Sequence, residues 1–103
     1  MAIVVFVTAK DAKQARRIAE RLVADRLIAC ANIIEGIESI FWWEGKIDRS
    51  REALLILKST QRQIKKIIAT VKTCHTYSCP EVIALPIKAG NADYLRWVHA
   101  SVR

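Results

Sequence analysis

Three short stretches of this chain, residues 3–7, 53–57 and 81–87, are apolar with little alternation, and the segments between them repeat apolar residues every three or four positions. A β-branched run such as Ile3-Val4-Val5-Phe6-Val7 is the pattern of a strand covered on both faces, hence a central strand. Thr8 followed by Asp11 has the spacing of a capping box, and Ala12, Ala15, Ile18, Ala19, Leu22 and Val23 then predict a helix over about 10–25. Residues 27–34 and 37–43 read as one long strand kinked at Gly36, with turn chemistry at Glu44-Gly45-Lys46 leading into a second central strand at 53–57. Thr60 with Gln63 suggests a second capping box, opening a helix that carries Ile64, Ile67, Ile68 and Val71. Pro86 removes a ladder donor from the last strand and sends it to an edge or a bulge, and Asn91 can cap a helix bearing Tyr94, Leu95, Val98 and Val102.

The order β-α-β-β-α-β-α is that of an α+β, ferredoxin-like βαββαβ sandwich with an extra C-terminal helix, in one domain over 1–103. Right-handed crossovers place the first two helices on one face of the sheet. The other face would then expose the second side of two apolar central strands, a larger patch than monomers usually tolerate. Self-association is expected to cover it.

Charge changes this picture little. The formal net charge is +7, but the basic residues fall mainly on polar helix positions, the ordinary place for solvated charge. RNA binding by a sheet of this type needs exposed aromatics on the two central strands, and Ile-Val-Val-Phe-Val and Ala-Leu-Leu-Ile-Leu do not supply them, so no nucleic-acid partner is expected. No stretch approaches the ~20 apolar residues of a membrane span, and the apolar N-terminus is too short for a signal peptide. Three cysteines without C-x-x-C spacing suit reduced thiols and a cytoplasmic location. Catalysis is not expected, since the chain shows no nucleophile–base motif, no Gly-rich phosphate loop and no evident pair of facing carboxylates.

Unusual residues concentrate in Ala29-Cys30-Ala31-Asn32, in Trp43-Glu44-Gly45-Lys46 and in the loop His75-Thr76-Tyr77-Ser78-Cys79-Pro80-Glu81. Together with Ala84-Leu85-Pro86-Ile87 and Gly90-Asn91 followed by Tyr94-Leu95-Arg96-Trp97, these resemble, in order and over nearly the whole length, the signatures of the CutA divalent-cation tolerance family. The resemblance implies a non-enzymatic homotrimer related in architecture to PII signalling proteins, with no obligatory cofactor and with copper(II) or another divalent metal ion, or a small metabolite, as its ligand. It implies a cleft between subunits lined by Cys30, Asn32, Trp43, Tyr77 and Glu81.

The chain departs from the family pattern at Thr76, where a proline is usual, and at Glu35 before Gly36. Val7 stands at the strand position of a family copper-ligating cysteine, and the adjacent loop pair is Cys74-His75 rather than two histidines. Cys74 and His75 are the candidate metal ligands because thiolate and imidazole are good donors to copper or zinc. Two binding sites therefore compete, the Cys74-His75 loop for a metal and the cleft for a metabolite.

Overall fold

A computed structural model describes residues 1–103. The elements are β1 (Ala2–Ala9), α1 (Ala12–Ala24), β2 (Cys30–Trp43), β3 (Lys46–Thr60), a single 3-10 turn (Gln61–Gln63) leading into α2 (Ile64–Cys74), β4 (Val82–Pro86) and α3 (Ala92–Ser101). The sheet order is β2-β3-β1-β4 with every neighbour antiparallel, so the two continuous apolar runs are central and the proline-containing strand is an edge, as their compositions predict.

Side chains alternate across the pleat. Ile3, Val5, Val7 and Ala9 of β1 join Ala53, Leu55 and Leu57 of β3 beneath Ala15, Ile18 and Leu22 of α1 and Ile67 and Val71 of α2, in one fully buried core. The opposite face carries Val4, Phe6, Leu54 and Ile56 down its centre and Ile34, Ile83 and Leu85 toward its edges. Helix α3 reaches this face only at one end, where the Tyr94 hydroxyl lies 3.4 Å from Cys30 Sγ. Ile34, Ile83 and Leu85 stay about half exposed.

Strands β2 and β3 continue well beyond the sheet as a two-stranded arm, which accounts for the 44 Å long axis of the molecule. The arm ends in a two-residue turn, Glu44-Gly45, with both residues at positive φ, the geometry that matches hairpin twist. Gly36 sits at the register shift between Ile34 and Ile37 with φ +69°, which confirms the expected kink. At the arm's end Ile40, Phe41, Trp42 and Ile47 are exposed, Trp42 at 72%.

Several local expectations are corrected. The N-cap of α1 is Asp11, not Thr8: the Gln14 backbone N–H donates to Asp11 Oδ1 at 2.8 Å, and Gln14 Oε1 reaches back past the cap to accept from the Lys10 backbone N–H at 2.9 Å. Thr8 belongs to β1, whose ladder with β3 runs on through Ala9 and leaves it no capping role. Thr60 and Gln63 form no box either, because Gln63 Nε2 turns to the Arg103 carbonyl and the buried Thr60 hydroxyl has no partner. Residues 27 and 28 are core positions ahead of β2 rather than part of it. Asp11→Ala is expected to cost about 1 kcal/mol of stability, read as a lower urea midpoint with an unchanged m-value.

Candidate functional site

His75 organises the loop between α2 and β4. As the C-terminal cap of α2 it leaves the helix in an extended conformation, and its buried ring donates from Nε2 to the Thr8 carbonyl at 2.7 Å while Nδ1 accepts the Tyr77 amide at 3.1 Å. Both nitrogens are thus committed, with the neutral Nε2–H tautomer set by the carbonyl at one side and the amide at the other. The imidazole pins the loop to the end of β1 and packs against Tyr77 in a tilted contact, ring centres 4.5 Å apart. Thr76 adds a second tether, its hydroxyl accepting from Gln14 Nε2 at 3.0 Å, so one glutamine closes the α1 cap and holds the loop. A proline at 76 could not make this bond.

The pinned loop meets the root of the arm and encloses a cleft of 770 Å³. Its walls are Ser39 to Phe41 and Trp43 from β2, Asp48 to Ser50 and Glu52 from β3, Thr8 from β1, and Tyr77, Ser78, Cys79 and Glu81 from the loop. Trp43, Tyr77 and Glu81 of the set expected between subunits line this cleft, which lies within one chain. Cys30 and Asn32 are elsewhere, near the start of β2, where Cys30 faces Tyr94 and Asn32 accepts from the Lys58 ammonium. Six residue steps along β3, about 20 Å of strand, separate Lys58 from Glu52.

Glu52 is the residue that the sequence reading missed. It is 8% exposed, no cation pairs with it, and the donor that faces it is the Tyr77 hydroxyl. Across the cleft Glu81 is held above the ordinary carboxylate range, first by burial and then by the charge of Glu52. Tyr77 is likewise raised above the usual phenol value by burial and by the neighbouring Glu52. The two glutamates thus line one cleft close enough for the charge of Glu52 to act on Glu81, a pairing the sequence pattern does not show. The signal available in the sequence was Glu52 at the head of the run 53–57, one pleat step from Leu54 on the open face.

A raised acid titrates with a definite sign. The folded chain holds the Glu81 proton more tightly than the unfolded chain, so stability falls as pH rises through the ordinary carboxylate range toward the raised folded value, and the cost is fully present at neutral pH. Glu81→Gln is expected to unfold at a higher temperature than the parent at neutral pH, with the advantage vanishing below about pH 4, when melting is followed by circular dichroism across that range.

The candidate metal pair is not arranged as an open site. Cys74 is a free thiol packed partly against the core, 3.9 Å from Thr73 Oγ1, and neighbouring His75 has no spare nitrogen. Cys79 is exposed on the cleft wall. Nowhere do three His, Cys, Asp or Glu side chains converge.

Comparison with known proteins decides the family. The model of the CutA1 divalent ion tolerance protein family matches residues 3–101. The chain belongs to the CutA1 family. It is 46% identical over 98% of its length to a chloroplastic CutA 1 protein of Oryza sativa, and 39% identical over 99% of its length to a divalent-cation tolerance protein CutA of Salmonella newport. It spans 57% of the rice protein and 89% of the Salmonella one, so it covers little more than half the length of its plant relatives. Its backbone superposes on the CutA1 structure from Thermus thermophilus with a TM-score of 0.98, at 41% identity and with all of both chains covered. A periplasmic divalent cation tolerance protein CutA from Archaeoglobus fulgidus gives 0.96 at 37% identity, again over all of both chains. This CutA1 match fixes the α+β ferredoxin-like fold.

Proposed function

We propose that the chain acts in divalent-cation tolerance as a non-enzymatic homotrimer in the cytoplasm, and that its ligand site is the cleft between the arm root and the loop 75–81. One observation carries the choice of site: a carboxylate more than nine-tenths buried, without a cation, faces a second carboxylate across a cleft of metabolite size. Burying an unpaired charge is costly, and a bound ligand that neutralises it recovers the loss. The trimer is supported by the uncovered apolar face and by the apolar end of the arm. The three free thiols support the compartment.

The second reading is direct capture of copper(II) or a related divalent ion by Cys74 and His75, whose donor chemistry and adjacency favour it. In that case the loop must first release the Tyr77 amide from Nδ1 or the Thr8 carbonyl from Nε2. Anaerobic calorimetric titration of copper(II) into the reduced protein, with Cys74→Ser and His75→Ala alongside, separates the two. The cleft reading expects weak copper binding that neither substitution abolishes. Tight binding lost in both variants would move the function to the Cys74-His75 pair.

A further inference from the structure

We infer that the cleft takes a small organic cation, a protonated aliphatic amine seated between Glu52 and Glu81 beside the ring of Tyr77, with Phe41 and Trp43 lining the cleft farther along the arm. This inference rests on the cleft being the ligand site and names the class of ligand. Three observations point the same way. The first is charge: the lining holds Asp48, Glu52 and Glu81 against Arg49 alone, a local acidic excess in a chain whose net charge is +7. A basic protein repels cations overall, so this pocket of opposite sign is a specific feature rather than a consequence of composition.

The second is the state of Glu52. The other exposed ion pairs satisfy themselves locally on helices, as Arg21 does with Asp25 and Arg96 with Asp93. Glu52 lies deeper than any of these, opens on the cleft, and has only a second acid and a phenol facing it. An ammonium group has three N–H donors, enough to bond both carboxylates at once.

The third is size and wall chemistry, which choose between a bare metal ion and an organic cation. A cleft of 770 Å³ lies in the range that holds a metabolite, and Phe41, Trp43 and Tyr77 contribute aromatic surface to it. Aromatic faces attract ammonium groups and pack against a methylene chain. A resident transition-metal ion instead asks for three or four converging side-chain ligands, and no three His, Cys, Asp or Glu side chains of the single chain converge.

The test is calorimetric titration of the full chain with 1,4-diaminobutane, beside the uncharged analogue 1,4-butanediol and manganese(II) chloride as the bare divalent ion. The diamine is expected to bind saturably and the diol not. In Glu52→Gln the dissociation constant should rise at least about tenfold, the loss of a charge-assisted bond, while His99→Ala, on the exposed side of α3, leaves it unchanged. Glu52→Gln removes a repulsion and keeps the shape, so its fold should survive. If its circular dichroism shows otherwise, Glu81→Gln takes its place with the same expected loss. Equal binding of diamine and diol would overturn the inference. So would manganese binding that depends on Glu52 without diamine binding, an outcome that keeps the cleft as the ligand site and changes the ligand to a metal. Failure of all three probes to bind the parent protein would overturn the inference and remove this support for the cleft.

Discussion

Leu55→Ala is expected to lower the stability of the fold by about 2–5 kcal/mol, a large share of the ~5–15 kcal/mol that holds a domain of this size together. Leu55 is fully buried at the middle of β3, opposite Val7 on one side and Ile33 on the other. It lies under α1 and α2 in the single core cluster. Truncation removes apolar contacts that no neighbour can replace, because the flanking strands are fixed by their ladders and leave a cavity. The neighbouring substitution Leu54→Ala is the control. Leu54 points to the other face and is only partly buried within one chain, so its loss should disturb the isolated fold much less and self-association more. Urea denaturation at two protein concentrations separates these effects, since a loss confined to the core is independent of concentration and a loss at a subunit contact is not. Equal effects at both positions would mean that the core is not segregated to one face.

The contrast between Leu54 and Leu55 also shows what was legible in the sequence. A run without alternation announces a strand buried on both sides, and β1 and β3 are central as that pattern requires. It cannot say what does the burying. On one face the answer is α1 and α2, on the other it is absent from the single chain. The arm was legible through Gly36 and the Glu44-Gly45 turn, both of which need positive φ. Period-two alternation along β2 puts Trp42 and Trp43 on opposite faces, whereas a cleft place for Trp43 came only from the family resemblance.

Long-range contacts account for what was not legible. Glu52 sits beside an apolar run and reads as the polar residue that precedes it; its burial depends on a loop some 25 residues later that folds back over the arm root. The loop is held there by His75 on Thr8 and by Thr76 on Gln14, pairings separated by 67 and 62 residues. The same contacts change the meaning of His75. By composition it is a donor next to a thiol, whereas in the fold its two nitrogens are spent on backbone groups. Capping boxes failed for a related reason. Thr60 and Gln63 have the right spacing, but Gln63 finds the Arg103 carbonyl, a partner that a local pattern cannot reveal.

Ile83→Asp is expected to convert the assembled protein to single folded chains, measured as a fall in solution mass from three chains to one with the far-ultraviolet circular dichroism retained. Ile83 lies on the edge strand β4, opposite Phe6, and 52% of its surface is open in the single chain, with Leu85 and Ile34 comparably exposed on the same face. Burying such a side chain gains about 1.5–3 kcal/mol, counted once in each subunit of a closed assembly. An aspartate there forfeits that gain and must also be dehydrated, so the contact becomes unfavourable rather than merely weaker. The fold itself should tolerate the change, because Ile83 lies outside the core cluster and its ladder bonds to β1 are backbone bonds. A parent protein that already runs at the mass of one chain would remove the premise. An Ile83→Asp variant that keeps the mass of three would show that the subunits meet elsewhere, with the apolar end of the arm as the surface left to hold them.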